Sequence, residues 1–305
     1  MHMSCRVVQY RDTDSYTVLD FGADPSGQKD SSKAFEEALD KSPHKVIVPP
    51  GRYLIGNTVE VNRKHLFLEA GVTIENNDRI QMNSPLFWIH GIHSIIEGEN
   101  KSVKIKSNSI SATSVIKIGH DDARDVRRNI LYCEVKNLTI EGSGRGTKLS
   151  GIHFYNSQEK GDEMTTSYFH SIHNLIIQHV NIGIHMERFS NGNSISNIIF
   201  NRVGAPESGC AIWFDGATEN RVYDFFHHHS ANALSVKFTR NKDKTPSYNI
   251  LQAGICEQGG DDARCVEMEA GAHNIIDINC NVLKGNMLPK DFQKRKNIIL
   301  TKPHN

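Results

Sequence analysis

An asparagine leading a largely apolar triplet returns seven times from residue 137 onward, and no other feature constrains the fold as much. The instances are Asn137-Leu-Thr-Ile, Asn174-Leu-Ile-Ile, Asn197-Ile-Ile-Phe, Asn220-Arg-Val-Tyr, Asn249-Ile-Leu-Gln, Asn274-Ile-Ile-Asp and Asn297-Ile-Ile-Leu. Their spacings are 37, 23, 23, 29, 25 and 23 residues. A base period near 23 with occasional insertions fits one coil of a parallel β-helix, each insertion being a loop on one face. The asparagines read as a structural ladder of stacked side-chain amides rather than as catalytic groups.

A second short strand follows each of the first five repeats. These strands are Gly151-Ile-His-Phe-Tyr, Gly183-Ile-His-Met-Glu, Ala211-Ile-Trp-Phe-Asp, Ala233-Leu-Ser-Val-Lys and Cys265-Val-Glu-Met-Glu. Each has a small residue first and apolar residues second and fourth, so the apolar pair shares one face of a strand. Stacked coils bury that face along a continuous core that no single coil forms alone.

The first part of the chain has a different pattern. Asp30-Ser31-Ser32 can start a helix, and Ala34, Phe35, Ala38 and Leu39 fall on one helical face. Residues 46–55 and 65–74 then read as strands broken by Pro-Gly and Ala-Gly turns. A solenoid needs its open end covered, and the amphipathic helix is placed to do so. Lys plus Arg and Asp plus Glu both total 35 in 305 residues, which removes the electrostatic case for nucleic acid or an anionic membrane. No membrane-spanning run and no secretory leader is visible in the sequence. The six cysteines (5, 133, 210, 256, 265 and 280) lack metal-site spacing and are expected to be free, mostly buried thiols.

The stretches "VLDFGADPSGQKDSSKAFEEAL", "VIVPPGRYLIGNTVEV" and "LFLEAGVTI" resemble the opening of the pectate-lyase-like β-helix superfamily. That superfamily includes polysaccharide lyases and glycosidases, alginate epimerase modules and phage tailspike depolymerases. The resemblance covers residues 17–75 and implies an all-β fold: a single-stranded right-handed parallel β-helix with an N-terminal capping helix. It divides the chain into an N-terminal tail (1–16), a capping strand and helix (17–45), the β-helix (46–300) and a C-terminal tail (301–305). The polygalacturonase and alginate-epimerase signatures are absent in register. The resemblance further implies an extracellular or virion-associated setting, a polysaccharide as partner and a homotrimer. Fold alone does not fix the reaction.

Stacked in register, the five second strands carry His153, His185, Trp213, Ser235 and Glu267 at their third positions. Tyr155, Glu187, Asp215, Lys237 and Glu269 occupy the fifth, and the upstream "LFWIHG" adds Trp88 and His90. With coils about 4.8 Å apart, these form two columns on one wall. Polar side chains are ordinary on such walls. Two histidines, a tryptophan and a tyrosine beside carboxylates point instead to a sugar groove.

Two of Asp215, Glu187 and Glu269 are the expected catalytic carboxylates of a glycoside hydrolase. Glu187 and Asp215 would lie near the retaining separation, and Asp215 and Glu269 near the inverting one. Trp213 is the expected sugar platform, with Lys237 beside Asp215 keeping it ionised, and His153, His185, Tyr155, Glu267 and Arg188 completing the substrate-binding set. The alternative is β-elimination on a uronate polymer, with His153 or His185 as base, Tyr155 as acid, and Lys237 or Arg188 on the carboxylate. A third reading is a non-catalytic carbohydrate-binding tail module. No cofactor and no metal site are expected, Ca²⁺ entering only with elimination. "FFHHHS" (225–230) cannot turn three histidines one way along a strand. "HDDAR" (120–124), "DDAR" (261–264) and the basic 291–297 read as solvated, and the inserts 156–169 and 239–248 as loops shaping access.

Overall fold

The computed structural model describes residues 15–76, 84–120, 130–156, 167–206, 208–257, 259–281, 291, 293–300 and 302–303. Within them the chain is all-β apart from the helix Ser32–Lys41 and a short 3₁₀ turn, and every strand pairing is parallel except for isolated bridges. One coil shows the plan. Strand Ile182–Glu187 leads to the short Ser190–Asn191, then to Ser194–Asn201, and the next coil restarts at Cys210–Asp215. Each segment pairs with its equivalent one coil away, so the sheets run along a parallel β-helix.

Among the described residues, eight strands build one wall: Val59–Asn62, Phe87–His90, Ser114–His120, Ser150–Asn156, Ile182–Glu187, Cys210–Asp215, Leu234–Thr239 and Arg264–Met268. Their inward residues stack in two rows that are at most 2% exposed. Ile152, Ile184, Ile212, Val236 and Val266 form one row, and Phe154, Met186, Phe214, Phe238 and Met268 the other. Each such side chain contributes about 1.5–3 kcal/mol by leaving water.

The register corrects one expected strand. Ile212 pairs with Val236, and Phe214 with Phe238, so the fourth strand is Ser235-Val-Lys-Phe-Thr239 rather than Ala233-Leu-Ser-Val-Lys. A two-residue slip preserves which side chains face inward, so alternation alone could not detect it. Ser235 is consequently buried in the core, bonded to His227 Nδ1 at 3.0 Å, and Lys237 takes its place in the outer column.

The seven asparagines belong to two ladders. Asn137, Asn174 and Asn197 sit at a left-handed bend (φ 58, 56 and 52°) and pass amide hydrogen bonds of 2.7 and 3.1 Å. Asn193, Asn220, Asn249, Asn274 and Asn297 form a second, buried ladder with links of 2.8, 3.1, 2.9 and 3.0 Å. Asn193 escapes the sequence pattern because Ser-Ile-Ser follows it. At the left-handed bend, Asp224 and Ala253 continue the first column without an amide.

The helix buries Ala34, Phe35, Ala38 and Leu39, with Phe35 edge-on to Tyr53 at 5.7 Å. Asp30 Oδ1 accepts the Ser32 amide at 2.8 Å and starts it. Between strands His65–Leu68 and Val72–Asn76, the turn passes through Gly71 at φ 86°, a conformation that favours glycine.

Cys265 and Cys280 are joined in a disulfide, which corrects the expectation of free thiols throughout; Cys133, Cys210 and Cys256 are free and buried. The two bonded residues come from strands on different walls of the same end, a proximity that linear spacing does not reveal. Cys5, residues 121–124 of the first "DDAR" word and residues 157–166 of one insert lie outside the described residues. No helix among the described residues is long and apolar enough to cross a membrane.

Candidate functional site

The wall's outward residues form two columns. The first runs Glu60, Trp88, Lys117, His153, His185, Trp213, Lys237 and Glu267. The second runs Asn62, His90, Gly119, Tyr155, Glu187, Asp215, Thr239 and Glu269, continuing each strand by two residues. The structure therefore places Trp88 and His90 on the same wall as the downstream groups. Lys117 and Thr239 were missed. The alternation Val115-Ile-Lys-Ile118 carried a signal for Lys117, whereas Thr239 was hidden by the two-residue slip.

The first column is a stack of rings. His153 and His185 lie 4.5 Å apart at 3°, and His185 and Trp213 4.3 Å apart at 10°. The Lys237 ammonium stands 5.4 Å from the Trp213 ring on the next coil, and Lys117 stands 4.4 Å over Tyr155. Strand spacing enforces this, since parallel in-register neighbours about 4.8 Å apart bring flat rings to contact distance. With His185 and Lys237 on its two sides, Trp213 has its ring faces covered and does not offer the open platform expected of it.

The second column holds Glu187 and Asp215, and each of these two has a histidine from the preceding coil. His153 Nε2 is 3.0 Å from Glu187 Oε1, and His185 Nε2 is 3.6 Å from Asp215 Oδ2. The first is a hydrogen bond and the second is too long for one. Both histidines are 8% exposed, and His185 Nε2 has no hydrogen-bond partner among the described residues. Asp215 is held from its other side: Thr239 Oγ1 donates to Oδ1 at 2.6 Å and Asn241 Nδ2 to Oδ2 at 2.8 Å. Trp213 Nε1 in turn donates to Thr239 Oγ1 at 2.7 Å.

These surroundings separate the charge states. Burial pushes the Asp215 carboxyl up, but His185 and the donors Thr239 and Asn241 outweigh it and hold it below the usual carboxylate range. Burial is also the largest influence on His153; it outweighs the Glu187 carboxylate and keeps the imidazole neutral near pH 7. Asp215 is thus an ionised carboxylate, and Glu187 shares one hydrogen bond with the neutral His153 imidazole. His153, His185 and Glu187 are also close enough together to hold a metal ion.

The remaining expected residues sit around this centre. Lys237 lies 3.6 Å from Glu267 and 3.7 Å from Glu269, one position away from the place expected beside Asp215. Glu269 is exposed, two coils from Asp215. Arg188 is 7% exposed, 4.0 Å from Asp243 and over the Phe189 ring. His227 points into the core, bonded to Ser235 and to the Val203 carbonyl, while His228 stacks on Phe226 at 4.6 Å. The insert 239–248 supplies Asn241 to the site.

Residues 15–259 match the family described as Rhamnogalacturonase A/epimerase, pectate lyase-like. The chain belongs to that family. No curated protein matches the sequence. Among solved structures, the pre-mature gene product 12 of bacteriophage phi29 is similar at 15% identity and a TM-score of 0.65, over 87% of this chain and 37% of that one. The enzymatically active domain of tailspike protein 2 of bacteriophage CBA120 is similar at 11% identity and a TM-score of 0.62, over 97% of this chain and 44% of that one. An N-terminal fragment of the phi29 protein gives 14% identity and 0.64, over 95% and 53%. At these identities the likeness is one of fold. This family member spans about half or less of each of those chains.

Proposed function

We propose that the chain is a polysaccharide depolymerase that cleaves by glycoside hydrolysis in the groove along the eight-stranded wall. The observation that carries this reading is the pairing of Glu187 with Asp215, register partners in unlike environments. Register neighbours lie about 4.8 Å apart, which suits the shorter carboxylate separation of retaining glycosidases. Asp215, ionised, attacks the anomeric carbon while Glu187, entering the step as the protonated general acid beside His153, delivers its proton to the leaving oxygen. Water then enters, gives a proton back to Glu187 and releases the sugar from Asp215. Glu269, exposed and beside Lys237, lies outside this pair.

Elimination is less well served. It needs a cation for the uronate carboxylate, and Lys237 already faces Glu267 and Glu269. Family membership and the phage tailspike likeness support a polysaccharide substrate, a virion-associated or extracellular setting and assembly as a homotrimer. We also read the helix Ser32–Lys41 as the cap of the first coils and the helix hand as right-handed, the hand imposed by strand twist. The test is product chemistry on bacterial capsular and plant polysaccharides. New reducing ends without the absorbance of an unsaturated uronate are expected. Reducing ends accompanied by that absorbance would replace hydrolysis with elimination.

A further inference from the structure

Beyond the carboxylates, a cavity of about 370 Å³ opens at the other end of the same strands. Its polar lining includes Asn232, Lys237, Asp262, Arg264 and Glu267, and Leu234 supplies apolar surface. The size falls within the ~300–1,000 Å³ of small-ligand sites. Lys237 adjoins Trp213 in the first column, and Thr239, which bonds Asp215, is two residues further along the same strand. At about 3.3 Å per residue, that places the cavity one short sugar step from the reacting carboxylates.

The charges in this cavity are already matched. Glu267 Oε2 accepts from Arg264 Nη1 at 2.7 Å, and Glu267 Oε1 lies 3.6 Å from Lys237 Nζ. Glu269 stands 3.7 Å from the same ammonium. Asp262 adds a further carboxylate to the lining. A carboxylated sugar entering here would have to displace Glu267 from both cations and leave a side chain only 18% exposed without its partners. A hydroxyl or N-acyl group needs no such displacement. It can add hydrogen bonds to the outer atoms of the cluster and to Asn232, while its ring rests on Leu234.

We propose that this cavity is a specificity subsite for an uncharged sugar residue, hydroxylated or N-acylated, next to the bond that is cleaved. The proposal rests on the hydrolase reading and narrows its substrate to polymers that present no carboxylate at that position.

The test is binding by the full chain carrying Asp215→Asn, which separates recognition from turnover. Calorimetric titration would compare galactomannan, dextran and chitin oligosaccharides with alginate and polygalacturonate oligosaccharides of equal length. At least one neutral oligosaccharide is expected to bind tenfold or more tightly than any uronate, and Asn232→Ala to weaken it about tenfold. Asp262→Ser, at an exposed position, should weaken it as well and guards against a folding defect at Asn232. Glu267→Gln, by releasing Lys237 and Arg264, should raise uronate affinity at least tenfold. Uronates binding as tightly as the neutral set, no neutral oligosaccharide binding, or neutral binding unmoved by the lining variants would each overturn the subsite. Neutral binding without reducing ends from the wild-type chain would defeat the hydrolase reading and leave the subsite standing. Hydrolysis of a polyuronate would defeat the subsite alone.

Discussion

Thr239 donates its hydroxyl to Asp215 Oδ1 over 2.6 Å while accepting the Trp213 indole N–H at 2.7 Å. The threonine thus ties the ring column to the carboxylate column and helps keep Asp215 ionised. An acid-limb prediction follows from the sign of that shift. In the proposed reaction Asp215 works as the carboxylate, so activity is expected to fall as pH drops through its pKa, and a lowered pKa extends activity downward. Thr239→Val removes a donor, and the acid limb of kcat/KM should move to higher pH with little change in fold. A limb that stays in place would separate Thr239 from the state of Asp215.

Two interior histidines predict an acid-sensitive fold. His170 and His227 are at most 1% exposed, and burial lowers each from 6.5 to about 3. Both are engaged as neutral rings, His170 Nδ1 accepting the Cys133 amide at 3.0 Å. The unfolded chain therefore binds more protons between about pH 6.5 and 3. Stability is full above that window and falls with pH inside it, by about 1.4 kcal/mol per unit for each histidine. Chemical denaturation of His227→Gln against wild type at several pH values should give a shallower slope.

The two asparagine ladders should differ in what they contribute. Asn249 is fully buried, bonded to Ala217 O, Asn220 and Asn274. Asn249→Ala leaves several buried groups unpaired and should cost about 3 kcal/mol. Asn197 lies at a left-handed bend with a single rung to Asn174. Asn197→Gly keeps that conformation and should cost about 1 kcal/mol or less. Equal losses in urea melts would contradict two ladders of unequal burial.

Much of this was legible in the chain because a coil repeats. The small–apolar–polar–apolar pattern found the wall, and with it His153, His185, Trp213, Glu187 and Asp215. It misplaced Lys237 because Ala233-Leu-Ser fits the pattern as well as Ser235-Val-Lys, and only the pairing of Phe214 with Phe238 decides between them. It also merged two ladders, since an asparagine at a bend and one in a buried turn are both followed by strand residues. Asn241 was beyond reach, being brought to Asp215 by the course of an insert. The Cys265–Cys280 bond likewise joins strands that only coiling makes neighbours.

That disulfide closes a 15-residue separation near the C-terminal end. Cys280→Ser should lower stability by about 3 kcal/mol, seen as an earlier unfolding transition. Reducing agent should reproduce the shift in the wild type and leave the variant unchanged.

The most direct test of the central claim is the kinetics of Asp215→Asn and Glu187→Gln beside Glu269→Gln on the polymer that wild type degrades. Asp215→Asn should lose about a thousandfold or more in kcat, some 4 kcal/mol of barrier. Glu187→Gln should lose activity on the polymer yet retain it on an aryl glycoside whose leaving group needs no proton. Glu269→Gln should stay within about threefold, as expected of an exposed ion pair. Wild-type rates in Asp215→Asn, or a loss confined to Glu269→Gln, would contradict the assignment of the chemistry to the Glu187–Asp215 pair.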